Sequence, residues 1–153
     1  MVLSDRIPRA NFEELPGSKK FVQFYVDDRE PYLRVGTIGH QRIILSFVEE
    51  CRREGQPIVD SYGFETKMLN ARREGIHPVV PLTFGRYTAV GFGSIYVIDK
   101  SRVVVKGDAD PEILDFCGKS DDYDLGPNRE HLKKLSVYLP DLEFRMHKKS
   151  LNE

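Results

Sequence analysis

The chain has 153 residues, of which 40% are hydrophobic and 31% are charged, and its formal net charge is −1. This is the composition of a single globular domain, and it excludes a disordered chain. The balanced charge argues against nucleic acid or an acidic membrane surface as the partner, and no apolar run is long enough to cross a bilayer. Cys51 and Cys117 lack metal-ligand spacing, which is typical of buried thiols in a reducing compartment, so we expect a cytoplasmic protein.

The chain begins with an irregular segment and continues into two strands. Residues 1–18 contain two prolines and Gly17 without a sustained period, which predicts a loose or draped N-terminal arm. Lys20–Val26 is rich in aromatic and β-branched residues and predicts a strand. After a turn sequence, a second and shorter strand is expected over residues 32–35.

The strongest helical pattern covers residues 41–54. Its apolar residues form one stripe with charged residues opposite, and the stripe comprises Ile43, Ile44, Phe47, Val48 and Cys51. Gly55 is the predicted C-terminal stop. Residues 57–62 are a possible strand, and residues 64–73 show a weaker helical pattern that stops at Gly75. Pro78 and Pro81 predict that the next segment is either irregular or an edge strand.

The second half of the chain is rich in strand patterns. Strands are expected over residues 87–98, 102–106, 112–117 and 142–146. A second firm helix is expected over residues 127–139, with Pro127 at its first helical position and Leu132, Leu135 and Leu139 on one face. We expect these leucines to form one core with the apolar stripe of the first helix.

The elements together predict one α+β domain over residues 19–147. Its fold class is a central, mostly antiparallel or mixed sheet flanked by two main helices, with a third helix possible. Residues 148–153 form a polar tail that is expected to fray.

His40 lies where the second strand gives way to the first helix. At such a junction one ring edge faces solvent and backbone amides are close, which suits an acid–base group acting on an anion. The alternative is that His40 only caps the helix or lies on the surface, and the local sequence taken alone favours that alternative.

A second candidate element is the loop that follows Cys117. Gly118 permits a close backbone approach or a positive φ, Lys119 and Ser120 supply donors, and a helix begins soon afterwards, which is how chains build a phosphate cradle. The G-x-x-x-x-G-K-[ST] spacing of a nucleotide-binding loop is absent. The alternatives are a plain polar turn, which the segment alone favours, and a hard-cation site at the acidic residues Asp121, Asp122 and Asp124.

Two glycines and the three remaining histidines are interpreted as structural or solvent-exposed residues and not as parts of a site. Gly91 and Gly93 inside a predicted strand indicate a bulge or a close backbone contact. His131 is interpreted as a partly buried structural residue, whereas His77 and His147 are expected in solvent. The spacing indicates no Ser-His-Asp order or Cys-His pair.

Taken in order, these segments resemble the Janus/Ocnus family, which includes the phosphohistidine phosphatases. The family has a Phe-led first strand, a V-R-G stretch before a Y-H-A-D-I helix start, a G-G-G-R-I strand, a Y-G-x-S-x-x-Y-G-P-x-x-H segment and a late P-D-Y. The similar segments here are Phe21–Val26, residues 33–36 with 38–43, residues 91–95, residues 117–123 with 126–131, and residues 139–143. The resemblance spans roughly residues 21–146, and it depends on the order of the motifs.

The resemblance implies a phosphohistidine phosphatase-like fold and a phosphoryl site that needs no metal and no cofactor. His40 takes the place of the family's general base, and backbone amides between Ser120 and Asp122 would hold the phosphoryl oxygens. The implied phosphate-binding residues are Gly118, Lys119, Ser120, Asp121, Asp122, Lys20 and Ser94. His40 must then lie beside this loop, because a base and an anion cradle act on one atom. The implied partner is a phosphorylated protein or a small phosphorylated molecule, and the oligomeric state is left open.

The chain departs from the family pattern at several positions. Ser94 stands where the family has an arginine, and Val22 stands where it has a lysine, for which Lys20 is the nearest substitute. Two insertions lengthen the chain, and the one before Cys117 permits an alternative register with the phosphate loop at residues 106–109. These changes remove two cations, while the loop after Cys117 carries added acidic residues.

Three functional hypotheses follow. The first is a phosphohistidine phosphatase-like protein that hydrolyses or recognises a phosphoryl group with His40 as the base. The second is a non-catalytic binding or regulatory module that keeps the fold, which would fit the lost cations and gained carboxylates. The third and weakest is metal-assisted hydrolysis at the aspartate cluster.

Overall fold

The computed structural model describes residues 3, 5–12, 20–37, 39–56, 70–71, 73–75, 81–97 and 112–146. Several predicted features lie outside the described residues: the possible strand at 57–62, most of the helix at 64–73, the strand at 102–106, the alternative loop at 106–109, the tail, Pro78, His77 and His147.

The described strands form one seven-stranded mixed sheet. They are β1 (Ala10–Asn11), β2 (Lys20–Val26), β3 (Glu30–Gly36), β4 (Thr83–Phe84), β5 (Tyr87–Val97), β6 (Glu112–Cys117) and β7 (Leu142–Met146). Their order is β1-β3-β2-β5-β6-β7, with β4 on β5. The β1–β3 and β6–β7 pairs are parallel and the others antiparallel, so the predicted α+β domain with a mixed sheet is confirmed.

Two helices of eight residues or more occur among the described residues, α1 (His40–Arg53) and α2 (Arg129–Ser136). α1 ends as predicted, because Gly55 has a φ of 73° and the amide of Gln56 donates back to the Cys51 carbonyl at 3.0 Å. α2 is shorter than predicted.

The start of α2 is set by the side chain of Asn128. Its Oδ1 accepts the backbone N–H of His131 at 2.9 Å, so Asn128 is the N-cap and Pro127 precedes the helix. The predicted place of Pro127 at the first helical position was therefore wrong.

The two helices pack on opposite faces of the sheet. The apolar stripe of α1 joins one buried cluster, whereas Leu132 and Leu135 of α2 join another with Phe21 and Phe116. Alternate residues of β2 feed the two clusters, because successive side chains of a strand point to opposite faces. The prediction of one shared core was wrong, since the sheet lies between the two sets.

The N-terminal segment differs from the loose arm expected for residues 1–18. Leu3 and Ile7 are buried in the α1-side cluster, and β1 pairs with β3 in parallel. The amide of Leu33 donates to the Arg9 carbonyl at 2.7 Å, and the Arg9 guanidinium pairs with Glu30 at 2.7 Å. Residues 5–12 are therefore part of the packed domain.

A buried polar network joins β2 to α2. The Gln23 side-chain amide donates to the Asn128 carbonyl and to Nδ1 of His131, each at 3.0 Å, and the Asn128 N–H donates to Gln23 Oε1 at 2.7 Å. His131 is fully buried, and its Nε2–H donates to the Phe24 carbonyl at 2.7 Å. A Cβ at Gly91 would overlap Gln23 Oε1, so the predicted close contact at this glycine is confirmed. The structural interpretation of His131 agrees with this network.

Candidate active site

Four strands place one residue each in a row across the sheet. Lys20 of β2 is paired with Gly36 of β3 on one side and with Ser94 of β5 on the other. Ser94 is in turn paired with Cys117 of β6. α1 begins four residues after Gly36, and the loop of residues 118–125 follows Cys117 directly. Segments that are far apart in sequence therefore meet at one end of the sheet.

The structure brings His40 and this loop together. The Phe92 ring lies between them, with the His40 ring edge-on at 5.4 Å and the Tyr123 ring stacked at 4.6 Å between centroids. The Gln41 side-chain amide contacts the Asp122 carboxylate. The predicted proximity of the histidine and the loop is met.

His40 is held in one orientation by the backbone of β5. It is the first residue of α1, Gly39 is the N-cap, and its ring is 7% exposed, so it is neither the helix cap nor a surface residue. The ring Nε2–H donates to the Gly93 carbonyl at 3.1 Å. Because a carbonyl can only accept, we infer that the neutral ring carries its proton on Nε2 and a lone pair on Nδ1.

The surroundings of His40 favour its neutral form. Burial lowers the pKa of His40 below its ordinary value of 6.5, and the hydrogen bond to Gly93 opposes that effect. The positive charge of Lys20 lowers the pKa further, while the negative charge of Asp122 raises it. The net pKa is lowered, so the ring is neutral at neutral pH, as a general base must be.

Gly93 leaves room for the packing of β5 against Cys117 and Phe21. Its φ is 152°, and a Cβ there would overlap the Cys117 carbonyl oxygen and come within 3.0 Å of the Phe21 ring. The close backbone contact predicted for this glycine is confirmed, and its carbonyl is the acceptor for the His40 ring.

The loop after β6 is closed by its own backbone. Gly118 has the predicted positive φ, at 73°. The Ser120 N–H donates to the Leu125 carbonyl at 2.9 Å, and the Ser120 carbonyl accepts the Asp124 N–H at 2.7 Å. The expectation that the Ser120 amide holds a phosphoryl oxygen is corrected, because the loop already uses that amide.

The Lys119 cation is directed to a carboxylate of the same loop. Its Nζ lies 3.1 Å from Asp124 Oδ1, and the two side chains are 57% and 86% exposed. An ion pair this exposed is weak and screened by salt. Lys119 therefore brings a partly compensated charge to the site.

The acidic loop places one carboxylate at the start of α1. Asp121 and Asp122 are both exposed, and the carboxylate of Asp122 accepts from the side-chain amide of Gln41, a buried residue. The N-terminus of a helix carries partial positive charge, so this carboxylate occupies a place that favours anions. The negative charge of Asp122 is close enough to His40 to oppose the lowering of its pKa.

Lys20 and Ser94 lie on the same side of the site. Lys20 is exposed and Ser94 is half-buried. The Ser94 Oγ is 3.7 Å from the position that a Cβ on Gly118 would take, so the hydroxyl adjoins the start of the loop.

Gln41 was not predicted as a residue of the site, although its position in the helical pattern indicated a buried polar side chain. Gln41 precedes Ile44 by three residues and Val48 by seven, so it lies on the apolar stripe of α1. A polar side chain on such a stripe requires a buried partner.

Comparison of the chain with protein-family models, with curated proteins and with solved structures gave no significant match. The Janus/Ocnus assignment therefore remains a prediction. Within the described residues, no three or more His, Cys, Asp or Glu side chains are grouped so that they could hold a metal ion. No helix among those residues is long and apolar enough to cross a membrane.

Proposed function

We propose that the protein is a cytoplasmic, phosphohistidine phosphatase-like protein that hydrolyses or recognises a phosphoryl group. The observation that carries the proposal is the state of His40: a neutral ring, fixed through Nε2 to Gly93, with its lone pair on Nδ1. Lys20 and Ser94 are paired with each other across β2 and β5. Ser94 follows Gly93, whose carbonyl accepts from His40, and the charge of Lys20 acts on the His40 ring. The substrate is a phosphoramidate or phosphate ester on a protein or a small molecule.

In the proposed reaction His40 acts on water. Nδ1 removes a proton as the water oxygen forms a bond to phosphorus, and the bond from phosphorus to the leaving nitrogen or oxygen breaks. The leaving nitrogen or oxygen takes up a proton from solvent, and the protonated His40 ring returns its proton to solvent, which restores the neutral base. Lys20 provides positive charge, and Ser94 provides a hydroxyl donor, for the phosphoryl oxygens.

One observation favours the second candidate, a non-catalytic binding module with the same fold. The carboxylate of Asp122 lies against the first turn of α1, where a substrate anion would gain most from the helix. The Ser120 amide is already bonded within the loop, and Lys119 faces Asp124. These features weaken an anion site without changing the position of His40.

Turnover of a phosphohistidine peptide and of phosphoramidate, with and without chelator, tests the first candidate. His40→Gln should lose the general-base contribution, about a hundredfold or more in kcat, while His147→Gln serves as the matched control. Turnover that survives in His40→Gln would contradict the proposed role of His40. Chelator-sensitive turnover would favour a metal-dependent reaction, and no turnover in the wild type would favour the binding module.

Calorimetric titration of phosphate separates the two candidates further. Removing one negative charge about 4 Å from the anion is worth about 1 kcal/mol in water, or about fivefold in affinity. Asp122→Asn should therefore bind phosphate at least about fivefold more tightly, and Asp121→Asn should change the affinity much less. Binding by the wild type supports the phosphatase, whereas binding only in Asp122→Asn, or in the double Asp→Asn variant, supports a fold kept for another purpose.

A further inference from the structure

A cavity lies between α1 and the edge formed by β3 and β1. It has a volume of about 320 Å³, and its polar lining includes Asn11, Arg34, Arg42, Ser46, Glu50 and Arg53. Neither His40 nor Ser94 nor the loop of residues 118–125 lines it. This cavity, the arginine cleft, shares Gly36 with the row of residues at the candidate active site, but none of the proposed catalytic or phosphate-binding residues lines it.

One wall of the arginine cleft is a rigid ion pair. Arg34 donates from Nε and Nη2 to the two carboxylate oxygens of Glu50 at 2.8 and 3.0 Å, and from Nη1 to the Leu33 carbonyl at 2.8 Å. Its guanidinium also lies 4.9 Å from the centre of the Phe47 ring. A bidentate pair of this kind is fixed in geometry, and its two charges cancel.

Two other arginines of the cleft have no such compensation. Arg42 and Arg53 are exposed, and neither forms an ion pair with any carboxylate among the described residues. Arg42 and Arg53 therefore bring to the cleft two positive charges that no carboxylate among the described residues neutralises through an ion pair.

The spacing of these arginines gives the cleft a direction. Eleven residues are about three helical turns, so Arg42 and Arg53 share one side of α1 and lie about 16 Å apart along its axis. Ser46 lies between them on the same side and is exposed. A cavity of about 320 Å³ along this length is narrow, so it suits an extended ligand better than a bulky ring.

We propose that the arginine cleft binds a small, extended organic ligand that carries an oxyanion group at each end. Each guanidinium offers a planar fork that matches a carboxylate or a phosphate group. The Ser46 hydroxyl contacts the middle of the ligand, and the buried Ile43 and Phe47 side chains form the floor. This site is independent of the phosphoryl chemistry proposed for His40.

The test is calorimetric titration with α,ω-dicarboxylates from succinate to sebacate and with the corresponding alkane bisphosphates. Monocarboxylates and monophosphates of equal length serve as reference ligands. A dianion of optimal length should bind about tenfold or more tightly than its monoanion, since one charge-assisted hydrogen-bonded pair is lost in the latter. Comparison of the two series shows whether the natural end groups are carboxylates or phosphates.

Three variants locate the binding. Arg42→Gln and Arg53→Gln should each reduce the affinity for the dianion about tenfold, to the level of the monoanion. Arg129→Gln is the matched control, because Arg129 is exposed on α2 at the other face of the sheet and should leave both affinities unchanged. Near-ultraviolet circular dichroism verifies that each variant is folded. The proposal is overturned if dianions and monoanions bind equally, if neither binds at about 10 mM, or if Arg129→Gln has the same effect as the cleft variants.

Discussion

Acid should weaken the fold through His131, and the network around this residue gives the size of the effect. Both ring nitrogens are used, because Nε2–H donates to the Phe24 carbonyl and Nδ1 accepts from the Gln23 amide. A proton on Nδ1 would face the amide N–H of Gln23 without an acceptor. Burial accordingly lowers the pKa of His131 from 6.5 to about 4, although the hydrogen bond to Phe24 acts in the opposite direction.

The sign of the effect follows from proton uptake. Between pH 6.5 and about 4 the unfolded chain binds a proton at residue 131 that the folded protein does not bind. The contribution of the neutral His131 ring to the free energy of unfolding is therefore fully present above pH 6.5 and is lost as the pH falls towards 4. A pKa difference of about 2.5 corresponds to about 3.4 kcal/mol in the free energy of unfolding, at about 1.36 kcal/mol per pKa unit.

Urea unfolding at a series of pH values between 7.5 and 4 measures this loss. The free energy of unfolding of the wild type should fall by about 3 kcal/mol more across this range than that of His131→Gln. Burial also lowers the pKa of His40, so His40 adds to the loss of stability over the same pH range. His40→Gln is therefore measured as well, to separate the contributions of the two histidines. If the free energy of unfolding changed equally with pH in the wild type and in His131→Gln, His131 would not be the source of the acid sensitivity. An NMR titration in which the His131 ring has a pKa near 6.5 would contradict the prediction in the same way.

Two further predictions concern packing. Phe47 is buried and stacks on Phe24 with 4.5 Å between ring centroids. Phe47→Ala should therefore lower the free energy of unfolding by about 3–5 kcal/mol. A loss below about 1 kcal/mol in chemical denaturation would show that the buried face of α1 is misassigned. Gly91→Ala should cost about 2 kcal/mol or more, because its Cβ would displace the Gln23 side chain and leave buried groups unpaired. Gly55→Ala, with no atom within 4 Å of its Cβ, tests the cost of a positive φ alone, and a smaller loss for Gly91→Ala than for Gly55→Ala would contradict this account.

Most of the regular elements could be predicted from the amino-acid sequence. β2 has the predicted bounds, α1 and β5 are within one residue of theirs, and β6 and β7 match theirs. These elements were predictable because periods of two and 3.6 residues are local properties of the chain. The candidate site residues His40, Lys20 and Ser94, with the loop after Cys117, also came from the sequence, and the strand register brings them together.

The packing of the helices and of the N-terminal segment on the sheet could be seen only in the folded structure. The sequence did not separate the cores of α1 and α2, because an apolar stripe does not specify the sheet face that it covers. It also did not predict the burial of Leu3 and Ile7, which lack a local period. These contacts join residues far apart in the chain, and local patterns carry no information about them.

The chemistry of the candidate site depends most on such distant contacts. The contact of Asp122 with Gln41 joins residues 81 positions apart, and the bond from His40 to Gly93 spans 53 positions. The sequence supplied the histidine, the glycine and the acidic loop. Only the folded arrangement shows that the histidine is buried, that its Nε2 faces the Gly93 carbonyl and that the charge of Asp122 acts on it, because burial and charge act through space and not along the chain.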